Sequence, residues 1–388
     1  MKILFIHNRY QLKGGEDAVF DQEVELLSHT EEVRALTFQN HGGLRGALQF
    51  LLSVWNVFAT VKIKKVVRQF QPEVIHVHNW HYGIGPLVIR MAHKLRIPVV
   101  CTIHNYRLLC PSATLLNRNA IYLESLRASF PWKAVRNKLY RNSFLQTFWL
   151  AFVVWFHKKM GTWRMVNCYI VLTEFAKRLF ISSSFGVPES LFVVKPNFSK
   201  DPGLSLQNRE DYFLFIGRLS EEKGIDVLLE AFKHKEFDLY IGGEGPLKDK
   251  VINAGKGNAR VHYLGMLDKE TVKEKMNHCS ALIFPSIWYE GMPMTLIEAF
   301  ALGTPVITSN LGAMGSMVRD GYNGMYFTAD DPASLSEKIA EWSHFERSAR
   351  KQYSANARSV YEEKYTPEHN RKEILSIYET VIKNKLNS

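Results

Sequence analysis

The sequence of 388 residues has few cysteines, and no two of them form a Cys-x-x-Cys pair. The four are Cys101, Cys110, Cys168 and Cys279. Their spacing argues against a zinc ribbon and against a disulfide scaffold. A reducing compartment is therefore the expected environment of the protein.

The sequence also lacks a Gly-x-Gly-x-x-Gly fingerprint after its first predicted strand, Lys2–His7. Only the pair Gly14-Gly15 occurs there, which argues against a nicotinamide-dependent oxidoreductase. Glycines beside a helix N-terminus let a backbone approach a ligand, although a plain strand-to-helix turn would use them as well. The apolar run at the N-terminus is too short for a signal peptide, and no small-residue cleavage site follows it.

Acidic residues are absent from residues 125–173, where eight Lys and Arg occur. Residues 1–200 hold 26 Lys and Arg against 11 Asp and Glu, whereas residues 201–388 hold 23 against 27. The basic excess of the N-terminal half predicts a negatively charged partner: nucleic acid, anionic lipid or a phosphorylated substrate. No nucleic-acid-binding motif accompanies it, so no nucleic-acid partner is expected.

Within this basic region lies the apolar run Phe144–Phe156, which is shorter than the roughly 20 residues needed to span a bilayer. Arg141 precedes the run and Lys158-Lys159 follow it, and four tryptophans lie in or near it. We expect a helix that lies on an anionic membrane surface through about residues 125–165. The alternative is a buried helix of the N-terminal domain with a solvated basic edge.

Apolar runs typical of buried strands alternate with helical patterns in both halves of the chain. Such alternation predicts α/β domains with parallel sheets and right-handed crossovers. A polar, irregular stretch around Pro202 and Gly203 separates the two halves. The predicted organisation is a domain at 1–197 with a basic aromatic insertion at about 105–165, a linker at 198–210, a domain at 211–365 and a helix at 366–388 that packs back towards the first domain.

Histidines lie in or shortly after two of the predicted strands in the N-terminal half. His76 and His78 lie on one strand and His81 comes shortly after it. Two histidines on one face of a strand lack a fixed third ligand, so polar lining of a pocket is favoured over a zinc site. His104 follows a strongly apolar strand that ends at Ile103, a position suited either to substrate contact or to a structural histidine.

The stretch Phe284–Ile307 joins two predicted strands through a loop and a helix that starts near Pro293. Glu290 in the loop and Glu298 in the helix flank the helix N-terminus. Ligands bind at this place in open α/β sheets, where helix N–H groups suit a phosphate and carboxylates suit hydroxyls. The combination indicates a nucleotide sugar. Alternatively, Glu298 only satisfies N–H groups at the helix start, because Thr295 and Glu298 have the spacing of a capping box.

Glycine-containing loops follow other predicted strands of the second half. They are GRLSEEKG at 217–224, GGEGP at 242–246 and HYLG at 262–265. With the Gly14-Gly15 loop, His104 and the segment PSIWYEGMPMTLIEA at 285–299, they resemble glycosyltransferase family 4. The last segment contains that family's two glutamates, separated by seven residues. The resemblance covers nearly the whole chain and is weakest at 105–165.

The resemblance implies an α/β protein of the GT-B fold, with two Rossmann-like domains whose parallel sheets face each other across a cleft. Arg218 and Lys223 would neutralise the nucleotide diphosphate. Glu290 would hold hydroxyls of the transferred sugar, and Glu298 would bind ribose hydroxyls. His104 would lie beside the donor sugar and the acceptor. The other implied donor-binding residues are Gly14, Gly15, Gly217, Gly243, Gly245, Tyr263, Leu264, Gly291, Met292, Pro293, Met294, Thr295 and Leu296.

The implied reaction moves a sugar from a UDP- or GDP-linked donor to an acceptor hydroxyl with retention of anomeric configuration. No Asp-x-Asp motif occurs, so neither a metal ion nor another cofactor is expected. The basic N-terminal half favours a lipid-linked acceptor in surface polysaccharide assembly (O-antigen, capsule or exopolysaccharide). It also favours a cytoplasmic enzyme peripheral to the inner face of the plasma membrane. The alternatives are transfer to a soluble sugar or sugar phosphate, and a non-catalytic protein that binds a nucleotide sugar or nucleic acid.

Overall fold

The computed structural model describes residues 1–11, 14–118, 120–203, 209–234 and 236–386. The chain divides into two compact units. The first unit comprises Met1–Asn117, Tyr122–Asn197 and Asn370–Ser388, and the second comprises Arg118–Ile121 and Phe198–His369. The first unit is therefore discontinuous in sequence.

Between the N-terminus and Asn197, strands and helices alternate as the apolar pattern predicts. The elements are β1 (Lys2–Arg9), α1 (Gly15–Ser28), β2 (Glu32–Gln39), α2 (Gly43–Leu52), α3 (Val57–Phe70), β3 (Val74–Asn79), α4 (Leu87–Lys94), β4 (Val99–Ile103), β5 (Leu116–Asn117), β6 (Ala120–Ile121), α5 (Glu124–Arg127), α6 (Trp132–Arg136), α7 (Phe144–Lys159), a 3-10 turn (Thr162–Met165), β7 (Cys168–Val171), α8 (Glu174–Ile181), a 3-10 turn (Glu189–Leu191) and β8 (Phe192–Val194).

Six parallel strands form the first sheet, in the order β2-β1-β3-β4-β7-β8. Every residue of β3, β4 and β7 is buried, as expected for parallel strands covered on both faces. The order of strands reverses between β1 and β3. The carboxyl ends of these two strands therefore mark the crevice where open α/β sheets bind ligands.

The rest of the chain repeats the alternation. The elements are β9 (Tyr212–Ile216), a 3-10 turn (Glu221–Lys223), α9 (Ile225–Ala231), β10 (Asp238–Gly242), α10 (Lys248–Gly257), β11 (Val261–Gly265), α11 (Lys269–His278), β12 (Ala281–Phe284), α12 (Met294–Ala301), β13 (Val306–Ser309), α13 (Met314–Met317), β14 (Gly324–Phe327), α14 (Pro332–His344), α15 (Arg347–Lys364) and α16 (Pro367–Leu386).

The second sheet also has six parallel strands, in the order β11-β10-β9-β12-β13-β14. This is the order of a Rossmann sheet, and it reverses between β9 and β12. The expected crevice of the second unit therefore lies where the loops after β9 and β12 begin. The prediction of an α/β protein with two parallel sheets is confirmed.

Helix α16 contributes to the core of the first unit. Ile374 and Tyr378 are fully buried in one cluster with Ile3 and Phe5 of β1. The Tyr378 hydroxyl also lies 2.7 Å from Nδ1 of His76. The C-terminal residues thus cover one face of a sheet built by the N-terminal ones.

Two features of the first unit differ from the sequence pattern. The pattern of residues 44–70 predicts one helix, but the structure has α2 and α3, because Asn56 caps α3 through the Ala59 N–H and donates to Gly83 O. The sequence pattern did not predict strand β2, because its half-exposed residues give no continuous apolar run. In the described residues no single helix is long and apolar enough to cross a membrane; only α2 and α3, bent by 76°, meet the length and composition criteria as a pair.

Candidate active site

The loops after β9 and β12 bring Lys223 and Glu290 into contact. Lys223 ends the 3-10 turn that follows β9, and Glu290 lies in the loop after β12. The Lys223 Nζ lies 2.6 Å from Glu290 Oε1, although the residues are 67 positions apart. Two of the predicted catalytic residues therefore meet at the point where the strand order of the second sheet reverses.

Glu290 is only 6% exposed and is held by the surrounding loop. The Ser286 hydroxyl donates to Glu290 Oε1 at 2.8 Å. The hydroxyl of Ser309, at the end of β13, donates to the Ser286 carbonyl at 2.6 Å. These bonds fix the carboxylate with respect to two neighbouring strands, which suits a group that must hold ligand hydroxyls in one orientation.

Two aromatic rings support the Lys223 ammonium from the other sides. Its Nζ lies 5.7 Å from the ring centre of Phe284 and 5.4 Å from that of Trp288, within range of cation–π attraction. An ammonium has three N–H donors. The contact with Glu290 uses one of them, so others remain for an anionic ligand.

Glycines allow the loops of the second unit to approach so closely. Gly224 has φ +72°, and a Cβ there would lie 1.9 Å from the Pro285 carbonyl oxygen. Gly243 has φ +137°, and its Cβ would lie 1.9 Å from the Gly217 carbonyl oxygen. Only glycine tolerates both the backbone conformation and the contact. A Cβ at Gly245 would be 2.3 Å from the carbonyl oxygen of Leu219.

The predicted nucleoside-lining residues lie on the glycine loop after β10 and at the end of β11. The Gly217 N–H donates to the Gly242 carbonyl at 3.1 Å, which joins the loops after β9 and β10. The Tyr263 hydroxyl donates to the Gly243 carbonyl at 3.2 Å and to Glu244 Oε1 at 2.9 Å. Leu264 follows and is half-buried. The structure therefore gathers the loops that follow β9, β10 and β11 at one edge of the sheet.

The start of α12 decides between the two interpretations of Glu298. The cap position is Pro293, with no side-chain capping hydrogen bond, and Thr295 lies inside the helix. The capping-box alternative is therefore wrong. Burial raises the pKa of the Glu298 carboxyl, against the opposing charge of Lys269. A half-buried carboxyl without a capping role is free to serve a ligand.

The remaining predicted residues surround the same helix start. Gly291, Met292 and Pro293 connect Glu290 to α12, and the N–H groups of its first turn, at Met294 and Thr295, have no carbonyl four residues back inside the helix. Leu296 N–H already donates to the Pro293 carbonyl at 3.2 Å, so it is less available to a ligand than predicted. Arg218 is exposed, and in the described part of the chain its side chain has no hydrogen bond or ion pair.

His104 of the first unit ends a chain of buried polar contacts. Its Nε2 lies 3.1 Å from His78 Nδ1. His78 Nε2 is 3.1 Å from Glu23 Oε2, at ion-pair distance but without hydrogen-bond alignment. Glu23 Oε1 in turn accepts from Lys195 Nζ at 2.6 Å. Burial, and then the neighbouring His78, hold the pKa of His104 well below its ordinary value, so its imidazole is neutral at neutral pH.

The same network contains three side chains that could bind a metal ion. Glu23, His76 and His78 offer ligand atoms within 4.8 Å of one another, so the expectation that the histidines lack a third partner was wrong. However, both ring nitrogens of His76 have partners at 2.7 Å, one of them the Tyr378 hydroxyl. The Lys195 ammonium already supplies a positive charge to Glu23. The donor set therefore fits a closed polar network better than a metal site.

Gly14 and Gly15 begin α1 after β1. A Cβ at either position would meet no atom of the described residues within 4 Å. The Gly14 N–H donates to Asp17 Oδ2 at 2.9 Å, which fixes the helix start. The space beside both glycines is open, as an approaching ligand would require, but the preceding residues 12 and 13 lie outside the described part.

The helix expected to lie on a membrane is α7. Its buried residues are Thr147, Leu150, Ala151, Val153 and His157. The Trp149 indole donates to the Phe50 carbonyl at 2.7 Å, which ties α7 to α2. Phe144 and Leu145 at its start are 46% and 75% exposed. Most of α7 therefore packs into the first unit, as the alternative of a buried helix with a basic edge predicts.

Two family models match the chain in tandem. The model described as Glycosyltransferase Family 4 matches residues 21–198, and the model described as Glycosyl transferases group 1 matches residues 198–360. The chain belongs to the family 4 glycosyltransferases. Both matches meet at the boundary between the two units.

Known proteins agree with this assignment. An uncharacterized glycosyltransferase of Methanocaldococcus jannaschii is 37% identical over 35% of this glycosyltransferase and 40% of its own length. The O-antigen chain mannosyltransferase C of Escherichia coli is 29% identical over 45% of this chain and 48% of its own. This chain thus spans less than half the length of either relative. The crystal structure of Anabaena HepE in complex with UDP covers 98% of this chain and all of that one, with a TM-score of 0.69 and 16% identity, which shows the GT-B fold.

Sequence reasoning missed the residues that support the glycosyltransferase site. Ser286 is a single polar residue after a strand, and its bond to Glu290 has no sequence signature. Glu23 lies on α1 among other polar residues and reads as part of a solvated helix face. Lys195, which pairs with it, is 172 positions away. The one available signal was the Lys-Pro-Asn end of β8, where a lysine directly follows the apolar strand Phe192–Val194.

Proposed function

We propose that this glycosyltransferase is a retaining, metal-independent enzyme that transfers a sugar from a UDP- or GDP-linked donor to an acceptor hydroxyl. The observation that carries the proposal is the Lys223–Glu290 contact of 2.6 Å beside the start of α12. It provides a cation for a phosphate and a fixed carboxylate for sugar hydroxyls at one place. The structure of HepE with UDP supports a nucleotide donor by fold analogy.

In the proposed reaction, the bond between the anomeric carbon and the β-phosphate oxygen breaks. A bond forms between that carbon and the acceptor oxygen, and the nucleoside diphosphate and the acceptor's proton are released. Negative charge grows on the leaving diphosphate as the first bond breaks. Lys223 and the first-turn N–H groups of α12 stabilise that charge because they are in place beforehand, and the exposed Arg218 adds a second positive charge. Their charge makes a metal ion unnecessary.

Glu290 and His104 position the sugar in this proposal. Glu290 accepts hydrogen bonds from hydroxyls of the transferred sugar, and Glu298 accepts them from the ribose. The contact between His104 Nε2 and His78 Nδ1 leaves Nδ1 of His104 available to the donor sugar or the acceptor. A neutral imidazole can donate or accept one hydrogen bond. Because it carries no positive charge, it does not repel the cations that bind the diphosphate.

We propose a lipid-linked saccharide of surface polysaccharide assembly (O-antigen, capsule or exopolysaccharide) as acceptor, at the cytoplasmic face of the plasma membrane. The similarity to an O-antigen chain mannosyltransferase supports this substrate class. So does the excess of 26 Lys and Arg over 11 Asp and Glu in residues 1–200. A soluble sugar or sugar phosphate is the second candidate, favoured by the packing of α7 inside the first unit.

The helices α2 and α3 offer a membrane-binding surface in addition to the predicted region 125–165. Their exposed apolar side chains are Leu44, Leu48, Leu51, Val57, Phe58 and Val61, between 50% and 91% exposed. Residues 33–72 contain no Asp or Glu, and the two helices carry five Lys and Arg. Apolar side chains among basic ones are typical of helices that lie on anionic lipid. We therefore place the membrane contact at α2 and α3, with Phe144 and Leu145 of α7 as a further part of it.

Donor binding is tested with a panel of UDP- and GDP-linked sugars in thermal shift. A donor at 100 times its Kd stabilises the folded state by about 2.7 kcal/mol. We expect one donor to raise Tm and to support transfer, and Glu290→Ala and Lys223→Ala to abolish transfer. Unchanged transfer in both variants would contradict the assignment of Glu290 and Lys223 to the donor site.

Membrane binding is tested by flotation with vesicles that contain anionic phospholipid. We expect Leu48→Glu and Phe58→Glu each to reduce the bound fraction, because each places a charge where an apolar group enters the lipid. Met266→Glu is the matched control, since Met266 is 71% exposed but belongs to the second unit. Full binding by a Leu48→Glu/Phe58→Glu double variant would mean that α2 and α3 do not contact lipid.

A further inference from the structure

A polar cavity lies in the first unit, at the carboxyl ends of β3 and β4. Its walls include His81, His104, Asn105 and Arg107. His104 is the residue predicted to face the donor sugar and the acceptor. A ligand group bound in this cavity therefore lies beside a residue that the proposed function already uses.

The cavity contains buried polar atoms without partners. His81 is 2% exposed, and neither of its ring nitrogens has a hydrogen-bond partner among the described residues. The Nε and Nη1 atoms of Arg107 are likewise buried and, in the described part of the chain, unpartnered. Buried polar groups in folded proteins nearly always have partners, because leaving them unpaired costs free energy. These atoms point to a ligand that accepts hydrogen bonds.

Two guanidinium groups share one aromatic neighbour at this place. The ring of Tyr140 lies 5.7 Å from Arg107 Cζ and 5.3 Å from Arg141 Cζ. The His81 ring centre is 6.2 Å from that of Tyr140. Contact with an aromatic ring restrains a guanidinium while its N–H edge stays available for an oxyanion. Burial, and then the charges of Arg107 and Arg141, hold the pKa of His81 well below its ordinary value, so the local field is positive.

The acidic group nearest to this cluster is already engaged. Glu16 Oε1 accepts from the Asn79 amide at 2.9 Å, and Oε2 accepts from the Asn105 amide at 3.3 Å. Burial raises the pKa of Glu16 to about 7, and the charge of Arg107 opposes that shift. Even when ionised, this one carboxylate balances only one of the two guanidinium charges.

We infer that Arg107, Arg141 and His81 form a phosphate-binding site for the acceptor, which therefore carries a phosphate or diphosphate group. The inference rests on the proposed transferase function and names the chemistry of its second substrate. The donor's own diphosphate is assigned to Arg218 and Lys223 of the second unit. A separate cationic site in the first unit is needed only if the acceptor brings a phosphate as well.

The surroundings favour a phosphate attached to a lipid. Phe50 of α2 stacks on Tyr140, with ring centres 6.2 Å apart and planes 5° apart. Leu48 and Leu51 on the same helix are 59% and 56% exposed. A cationic pocket thus adjoins an exposed apolar helix, and an amphiphile with a phosphorylated head and a hydrocarbon tail would contact both. A soluble sugar phosphate shares the phosphate chemistry but would gain nothing from α2.

The test measures binding by calorimetry with the donor site first saturated with UDP. Three probes are compared: inorganic pyrophosphate, farnesyl diphosphate and farnesol. We expect farnesyl diphosphate to bind at least tenfold more tightly than pyrophosphate, and farnesol to bind weakly. Equal affinities of farnesyl diphosphate and pyrophosphate would keep the phosphate site but overturn its lipid occupant.

Variants identify the site. We expect Arg107→Gln and Arg141→Gln each to weaken farnesyl diphosphate binding about 10- to 100-fold, because each removes hydrogen bonds to a charged group. Arg136→Gln, an equal loss of charge at an exposed position of α6, should leave it within about twofold. Arg141 is exposed, so its variant remains informative if Arg107→Gln fails to fold.

The Kd of UDP, measured on the same variants, separates this inference from the proposed function. It should change by less than about twofold in Arg107→Gln and Arg141→Gln. A parallel loss of UDP affinity would assign the arginines to the donor and overturn the inference. Wild-type affinity for farnesyl diphosphate in both variants would overturn it as well. Failure of the wild-type protein to bind any nucleotide, with the phosphate site intact, would instead contradict the proposed function.

Discussion

Replacing Lys223 with methionine should separate the structural role of the Lys223–Glu290 pair from its catalytic role. The substitution keeps the apolar length of the side chain against Phe284 and Trp288 but removes the ammonium 2.6 Å from Glu290. Glu290, which is 6% exposed, then loses the cation that it contacts. The variant therefore tests what the pair contributes to folding and what it contributes to transfer.

The expected loss of stability follows from the burial of the pair. Breaking a buried ion pair by removing one partner costs about 3–5 kcal/mol. The side chain of Lys223 is 21% exposed, which lowers the cost to about 2–3 kcal/mol through solvent screening. Lys223→Met/Glu290→Gln should recover at least half of this loss, because no carboxylate then remains buried. Urea unfolding of the three proteins measures these differences.

Transfer activity should behave differently from stability. Both the single and the double variant should lose about 100- to 1,000-fold in kcat, as expected when a pre-placed charge is removed from the leaving group. Lys338→Met is the control: its pair with Glu341 has the same kind of contact at 2.7 Å, but the side chains are 30% and 48% exposed. That variant should stay within about 0.5 kcal/mol of the parent and keep full activity. A double variant no more stable than Lys223→Met, or one whose kcat stays within about tenfold of the parent, would refute the reasoning.

Two further predictions concern stability. Gly224→Ala should cost about 3 kcal/mol or more in urea unfolding, because φ is +72° and the new Cβ would lie 1.9 Å from Pro285 O; Gly257→Ala, with no atom within 4 Å, should be neutral or slightly stabilising. Burial lowers the pKa of His157 to about 4 from an ordinary value of 6.5. The unfolded chain therefore binds more protons in this interval, and stability falls by roughly 3 kcal/mol from this residue as the pH drops from 6.5 to 4. The slope of unfolding free energy against pH should flatten in His157→Gln, and an unchanged slope would contradict this account.

The sequence was sufficient to predict those parts of the fold whose signals are local. Strands β9 and β12 are apolar runs that stop directly before Gly217 and Pro285, so their carboxyl ends could be predicted. Loops at adjacent strand ends must meet once the sheet forms, and for that reason Lys223 and Glu290 were expected close together, as the structure has them. Strand β14 was missed because its four residues, Gly324–Phe327, are too few for a pattern.

Contacts between distant elements could not be predicted. The pair of Glu23 and Lys195 depends on how α1 packs against the end of β8, and no local signal reports that packing. The cluster of Arg107, Arg141 and His81 depends on three loops that meet beyond the first sheet. The basic charge of the N-terminal half was visible, but which arginines lack partners was not, since that depends on burial and on every neighbouring acceptor.

The discontinuity of the first unit has a consequence for how the protein is made. Its core includes Ile374 and Tyr378, which a ribosome adds only after the whole second unit, Phe198–His369, has been translated. During synthesis, the face of the first sheet that α16 covers therefore stays exposed until α16 has been translated. Residues 1–197 expressed alone would lack this cover, whereas the same segment fused through a short linker to 370–386 has the complete core. The second unit is thus an insertion in the first, and its synthesis is finished before the core of the first unit is complete.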